Sequence, residues 1–254
     1  MSRPRRIDRA LVADGLARDE LEARALIEDD RVTVNGAPVL NTARQVSVSD
    51  ALAVIPLRKF VSRGGLKLEA ALEHFAGAES PLQVSGCRVL DIGASTGGFV
   101  DCLLEWGAAS VVACDVGHGL LHPKLAADPR VDVRDGVNAR DIPALVQCGD
   151  FPAGFDHVVA DVSFISLRML IDGIKAVLTP GGEALLLVKP QFEATKVEAD
   201  RGGGVISDET VRRRCIESVS RSLEEHGFTV LGEVDSAVPG PAGNREHWIR
   251  ASIV

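Results

Sequence analysis

The stretch VLDIGASTGGFVDCLL, Val89 to Leu104, decides the fold. A short apolar strand runs to Asp91, a glycine-rich turn follows, and an amphipathic helix starts near Gly98. Such a turn at the carboxyl end of a first strand lets a ligand approach backbone amides at a helix N-terminus. Gly93, Gly97 and Gly98 permit that approach. The Gly-x-Gly-x-x-Gly fingerprint of a nicotinamide dinucleotide is excluded, because Ser95 stands where its second glycine belongs.

Working outward, apolar segments alternate with helical periods. Strands are expected near 87–91, 110–115, 131–133, 156–161, 183–188, 228–234 and 246–252, and helices over 65–76, 97–106, 141–147, 164–178 and 207–226. This alternation predicts a doubly wound, mostly parallel seven-stranded sheet whose last two strands form an antiparallel edge pair. Upstream lies a smaller unit. Ile7, Leu11 and Leu16 mark one helix, and Leu21, Ala25 and Ile27 form the apolar face of a second. The segment VTVNGAPV, 32–39, is a hairpin around Asn35-Gly36, and extended stretches follow at 45–48 and 51–55. The α/β chain therefore divides into 1–55, a linker 56–62, and a large domain 63–254.

The chain has 254 residues and a net charge of −8, unevenly spread. Residues 1–67 carry 12 Lys/Arg against 9 Asp/Glu, a net +3, whereas the remainder stands at −11. Positive charge thus sits at the front, where phosphate contacts would need it. Five scattered cysteines show no ligand spacing, so no metal site is expected and the thiols read as reduced cytoplasmic residues. The longest clean apolar run, Ala184 to Val188, is far short of the ~18 residues of a membrane helix. The opening MSRPRRIDRA lacks the apolar core of a signal peptide.

Two resemblances follow from these residues. The pattern Arg6-Ile-Asp-Arg-Ala-Leu, a helix, then Arg31-Val-Thr-Val-Asn-Gly resembles the S4 RNA-binding domain, departing from it at Asp19-Glu20 and Asp29-Asp30. The Asp-x-Gly-x-x-x-Gly-Gly loop resembles the first motif of S-adenosylmethionine-dependent methyltransferases, which implies a Rossmann-like domain. On that resemblance Asp91, Gly93, Ser95, Gly97, Gly98 and Phe99 bracket the methionine moiety. Asp115, 24 residues beyond Asp91, binds ribose hydroxyls, and Asp135 and Asn138 are candidate adenine contacts.

Four charged residues stand where strand ends converge on such a crevice. They are Lys67 in SRGGLKLEAAL, Asp161 in VVADVSFIS, Lys189 in LLLVKPQFE and Glu246 in GNREHW. In order they resemble the Lys-Asp-Lys-Glu tetrad of FtsJ-like ribose 2′-O-methyltransferases, and Phe164, Phe192 and Glu193 also fit that family's motifs. With the S4-like front, the chain from about residue 6 to 252 is similar to the TlyA-type rRNA methyltransferases, some labelled hemolysin A.

The resemblance implies ribose 2′-O-methylation at cytidine sites of ribosomal RNA; a monomer would suffice for it, and with no long apolar span no membrane partner is expected. A ribose hydroxyl must lose its proton as the methyl arrives, and a neutral Lys189 can accept it. A free lysine titrates near ~10.4; burial and nearby positive charge favour the neutral form, while Asp161 and Glu246 oppose it and are given orienting roles. Arg3, Arg5, Arg6, Arg9, Arg18, Arg31, Arg58, Lys59 and Arg63 are the candidate RNA contacts, with Ser62 and the Gly202-Gly203-Gly204 loop as further meeting points for the backbone. For that loop plain flexibility is the simpler account, and Arg212, Arg213 and Arg214 read as a solvated helix face. Three other classes compete: a non-catalytic RNA-binding or ribosome-assembly factor, opposed by the intact tetrad and loop, a membrane-active hemolysin, opposed by the absent apolar span, and a small-molecule O-methyltransferase, which would leave the S4-like module without a purpose.

Overall fold

The computed structural model describes residues 4–28, 31–39, 41–55 and 59–253, and the chain divides into two compact units, 1–58 and 59–254.

The first unit comprises β1 (Arg5–Arg6), α1 (Ile7–Ala13), α2 (Glu20–Glu28), β2 (Val32–Val34), β3 (Ala37–Pro38), β4 (Gln45–Val46) and β5 (Leu52–Val54). Asn35 (φ 52°) and Gly36 (φ 80°) close the β2–β3 hairpin, both in the left-handed region such a two-residue turn requires. β5 adds to the other edge of β2, while β4 pairs with β1 instead of extending the hairpin. The core joins Ile7, Ala10 and Leu11 to Ala23, Leu26, Ile27, Val32 and Val34. Two sequence expectations change. Helix α1 ends at Ala13, before Leu16. The buried face of α2 is Ala23, Leu26 and Ile27, and Leu21 is 79% exposed. Residues at i, i+3 and i+4 share a helix face, as 23, 26 and 27 do, whereas Leu21 and Ala25 share the exposed face and only Ile27 of that set is buried.

The second unit begins with α3 (Arg63–Ala76), whose residues Leu68, Ala71, Leu72 and Phe75 form one apolar stripe. There follow β6 (Arg88–Ile92), α4 (Gly98–Glu105), β7 (Ser110–Asp115), α5 (Pro123–Ala126), β8 (Val131–Asp135), α6 (Ile142–Cys148), β9 (Phe155–Ala160) and α7 (Ile171–Val177). The chain ends with β10 (Leu178–Val188), α8 (Pro190–Glu193), α9 (Lys196–Arg201), α10 (Glu209–Glu225), β11 (Phe228–Asp235) and β12 (His247–Ile253). The sheet order is β11-β12-β10-β9-β6-β7-β8, parallel except for β12, which runs antiparallel to both neighbours.

Alternation along the strands feeds two apolar layers. In β10, Leu185 and Leu187 face the α3–α4 side with Leu72 and Trp248, while Ala184, Leu186 and Val188 face Ile174, Ile216 and Val219. The chain leaves β6 in both directions across the sheet, so the order reverses between β6 and β9. A crevice opens there at the carboxyl ends of the strands.

The segment expected as one helix over 164–178 is shorter and broken. Phe164 has φ 66°, a 3₁₀ turn spans Leu167–Leu170, and α7 stops before Leu178, which already pairs with Phe155 of β9. Glu193 imposes the break by accepting the Leu167 N–H (2.7 Å) and the Ser166 hydroxyl (2.6 Å). The short helices α5, α8 and α9 were not expected; α9 starts at a reciprocal Thr195–Glu198 capping box. Arg212 corrects the solvated-face reading of α10. It lies on the buried stripe with Cys215, Ile216, Val219 and Leu223, while Arg213 is exposed and Arg214 pairs with Glu198 (2.7 Å).

Candidate active site

At the fork between β6 and β9 the backbone of Gly93 passes so close to Asp161 that a Cβ would lie 2.7 Å from its carbonyl oxygen. Gly93 also has φ 86°, so no side chain is tolerated there on either ground. Gly98 lies against Ser62 and Gly65 with the same consequence, which sets the start of α3 on the start of α4. Behind this junction Asp101 is 5% exposed. It accepts the Val61 N–H (2.8 Å) and pairs with Lys124 (3.0 Å), tying three segments together.

Two adjoining clefts open at this point. The larger, about 690 Å3, is lined by Arg63, Lys67, Asp161, Lys189 and Glu246 together with Gly93, Ser95, Gly98 and Phe99. The second, about 490 Å3, shares Gly93, Ser95, Asp161, Ser163 and Phe164 with the first and adds Asp115 and Asn138. All four residues of the tetrad pattern thus meet in one cleft. They do so as two ion pairs. Lys67 Nζ donates to Glu246 Oε2 at 2.5 Å, with the side chains 8% and 0% exposed. Lys189 pairs with Asp161 in a more open position, 11% and 19% exposed, and donates to Ser163 Oγ at 3.0 Å.

The cofactor-side candidates divide. Asp115 accepts the N–H groups of Ser95 and Gly117 (2.8 Å each), which fixes its carboxylate at the mouth of the second cleft. Phe99 is buried at a ring distance of 5.6 Å from Trp248. Gly97 does not line either cleft. It caps α4 at φ 94° and packs on Leu121 and Leu125. Asp135 is spent on the Gly119 N–H (2.8 Å), whereas Asn138 lines the cleft. Asp91 lies beneath the loop, fully buried, with neither carboxylate oxygen hydrogen-bonded. Burial, and then the charges of Asp161 and Asp115, push its carboxyl well above the usual range.

Comparison with known proteins places this geometry. The FtsJ-like methyltransferase family matches residues 60–252, and the S4 domain family matches residues 5–52. The chain belongs to the FtsJ-like methyltransferases. It is 42% identical, over 98% of its length and 91% of the relative's, to the 16S/23S rRNA (cytidine-2′-O)-methyltransferase TlyA of Mycobacterium tuberculosis. It is 35% identical to a protein of Brachyspira hyodysenteriae named Hemolysin A, covering 95% and 97% of the two chains. A solved structure from Streptococcus thermophilus whose description also carries the word hemolysin superimposes with a TM-score of 0.71. That pair is 32% identical over 99% of this chain and 89% of the other. Among the described residues no helix is long and apolar enough to cross a membrane.

The FtsJ-like domain fits the cofactor its family implies. The orphaned Asp91 carboxyl beneath the loop would be stabilised in its ionised form by a cationic group bound above it. Asp115 offers acceptor oxygens suited to vicinal hydroxyls, and Asn138 offers a polar side chain in the same cleft. Sequence reasoning missed Ser163, Asp101 and Gln191. The first two show only as ordinary polar residues in sequence. Gln191 lines the cleft with its Oε1 buried and without a hydrogen-bond partner. Phe164 and Phe192 sit 5.2 Å apart at the rim, the Phe164 ring 91% exposed. Burial pushes the Glu193 carboxyl up against the opposing bonds from Ser166, Leu167 and Arg168, consistent with a wholly structural contact.

The candidate RNA contacts of the S4 domain are mostly paired within it. Arg5 bonds Asp14 (3.2 Å), Arg6 bonds Asp8 (2.7 Å), Arg9 bonds Glu20 (3.3 Å) and Arg18 bonds Glu22 (3.0 Å). Arg31 donates to the Ile55 carbonyl at 2.9 Å. In the FtsJ-like domain Lys59 pairs with Glu69, and Arg63 lines the cleft. Arg3, Arg58, Asp29 and Asp30 lie outside the described residues. The Gly202–Gly204 loop is held, since Asn244 accepts the Ile206 N–H (2.9 Å) and donates to the Gly204 carbonyl (2.8 Å).

Proposed function

We propose that this chain transfers a methyl group from S-adenosylmethionine to the ribose 2′-hydroxyl of cytidine in ribosomal RNA, with Lys189 as the general base. One observation carries the reading: two lysine–acid pairs share a single cleft that is continuous with a second cleft bearing Asp115 and Asn138. The names of the TlyA relatives support the choice of ribosomal RNA and cytidine.

Bound in the second cleft, S-adenosylmethionine supplies an electrophilic methyl group on a sulfonium sulfur. Asp115 holds its ribose hydroxyls, Asn138 its base, and Asp91 offsets positive charge from beneath the loop. Lys189 in its neutral form accepts the hydroxyl proton at Nζ. Asp161 and Ser163 fix that nitrogen, and the partial exposure of the pair lets the proton pass on to solvent. Lys67, shut in with Glu246 in the lining of the same cleft, orients the substrate. In-line positioning of hydroxyl and methyl supplies the remaining acceleration. The exposed Phe164 ring, braced by Phe192, stacks on an unpaired base at the rim.

The test is transfer of labelled methyl to purified 30S and 50S subunits lacking the modification, with wild type and Lys189→Ala. Label that appears with wild type alone and survives digestion as ribose-methylated cytidine supports the reading. Equal label with the variant removes Lys189 as base. Absence of label on either subunit, in a protein that binds S-adenosylmethionine, overturns the substrate.

A further inference from the structure

Glu246 belongs to a loop end rather than to a strand. β12 begins at His247, so Glu246 lies just ahead of the last ladder pair and its direction is set by its neighbours. Both neighbours are fastened to one carboxylate. Arg245 Nη2 donates to Asp235 Oδ2 at 2.9 Å, and His247 Nδ1 donates to Asp235 Oδ1 at 2.6 Å. Behind them stands Arg212 of α10, whose side chain is 6% exposed. Its Nε donates to the Arg245 carbonyl at 3.2 Å, its Nη1 to Glu209 at 3.1 Å, and its Nη2 bonds Asp235. The Ser236 N–H donates to the Glu246 carbonyl at 3.0 Å, and buried Asn244, two residues ahead, is held by accepting the Ile206 N–H at 2.9 Å.

Residues 244, 245 and 247 are therefore each held, and Glu246 between them turns away toward Lys67. We infer that Asp235, backed by Arg212, is a positioning residue that aims the Glu246 carboxylate at Lys67. The inference rests on the tetrad reading above. Two further observations favour it. The other Glu246 oxygen is buried without a hydrogen-bond partner, so self-directed hydrogen bonds do not fix the side chain. Gly240 stands where a Cβ would come within 2.6 Å of that same oxygen, so only glycine at this position leaves the carboxylate the place it occupies beside Lys67. Burial raises the Asp235 carboxyl, but the bonds from His247 and Arg212 outweigh it and leave it at about 2, ionised throughout the working range.

An ion cluster that merely stabilises the sheet edge would be expected to act independently of Glu246, and kinetics separate the two roles. The full chain is assayed as wild type, Asp235→Asn, Glu246→Gln and the double variant, measuring kcat, the KM for RNA and the Kd for S-adenosylmethionine. A positioning role predicts that Asp235→Asn lowers kcat about tenfold, the scale of a sub-ångström misplacement, with KM and Kd unchanged. On the Glu246→Gln background it predicts no further loss, because a carboxylate that is gone cannot be misaimed. Asp235→Glu, which keeps the charge, restores part of the rate. If Asp235→Asn melts at the assay temperature, Arg245→Ala, on a 62% exposed side chain, enters the same cycle in its place. Equal loss on both backgrounds, or no loss in wild type, overturns the inference. A Glu246→Gln variant with unchanged kcat would instead overturn the tetrad reading, and this inference with it.

Discussion

Replacing one member of the Lys67–Glu246 pair should destabilise the protein far more than replacing both. The two side chains are 8% and 0% exposed and meet at 2.5 Å across 179 residues of chain. Removing one partner strands the other as a buried charge, at a cost of about 3–5 kcal/mol. At roughly 2–4 °C per kcal/mol for a domain of this size, Tm falls by about 6–20 °C in Lys67→Met or Glu246→Leu. The double variant replaces a desolvated pair with apolar side chains of similar volume and should regain most of that loss, or all of it. Urea titrations of the four proteins measure the coupling directly. Single losses below about 1 kcal/mol, the range of an exposed pair, or an additive double variant, would refute the reasoning. The restored double variant should transfer no methyl group; activity there would take both residues out of the chemistry.

Three more predictions follow from single residues. Asp91→Asn should stabilise the ligand-free protein at pH 7 by about 1–3 kcal/mol while weakening S-adenosylmethionine binding. Because the folded-state carboxyl is raised, its penalty is absent below the unfolded value near ~3.9 and grows as pH rises above it. A gain in urea stability that persists undiminished at pH 4 would contradict this. Phe164 has φ 66°, a conformation glycine adopts without strain. Phe164→Gly should therefore be more stable than Phe164→Ala by roughly 1 kcal/mol, and both should raise the KM for RNA about tenfold or more; equal stability of the two variants would exclude backbone strain. Asp8 has no exposed surface, and its carboxyl is lowered chiefly by the Arg6 hydrogen bond. Its contribution is complete above the unfolded value near ~3.9 and is lost as pH falls through the lowered folded value. Arg6→Ala should move the acid loss of α1 amide protection to higher pH, and an unmoved transition would show that the pair is inert.

The loop from Asp91 to Gly98 was legible because backbone conformation, close approach and strand-to-helix transition constrain the same residues. The tetrad was legible only through a family resemblance, since nothing in the spacing of 67, 161, 189 and 246 says that they meet. What sequence missed has a common physical origin. Glu193 breaks the helix expected over 164–178 by taking the Leu167 N–H from another element, a long-range contact invisible to local periodicity. Arg212 looked solvated as one of three consecutive arginines, yet at position 212 it shares a stripe with Ile216, Val219 and Leu223, and helical phase outranks charge. The Thr195–Glu198 capping box was present as Thr-x-x-Glu and could have announced α9.

Charge counting has the same limit. The net +3 of residues 1–67 suggests cations available to phosphate, but Arg5, Arg6, Arg9 and Arg18 each already hold a carboxylate of their own unit. For an arginine in such a pair, engaging a phosphate means exchanging one anion for another, which gains less than neutralising an isolated charge. Glu20 and Glu22 are 47% and 31% exposed, so those exchanges are open. Asp8, with no exposed surface and two arginine partners, cannot be left behind, which makes Arg6 and Arg24 part of the fold before they are part of any interface. Among these arginines, then, the exposed pairs at Arg9 and Arg18 are where salt-dependent RNA affinity should reside, and alanine there should flatten the salt slope while alanine at Arg6 lowers the stability of the unit. The salt dependence of binding for Arg9→Ala and Arg18→Ala, measured beside their thermal stability, separates the two; unchanged slopes with intact folding would place the phosphate contacts elsewhere on the chain.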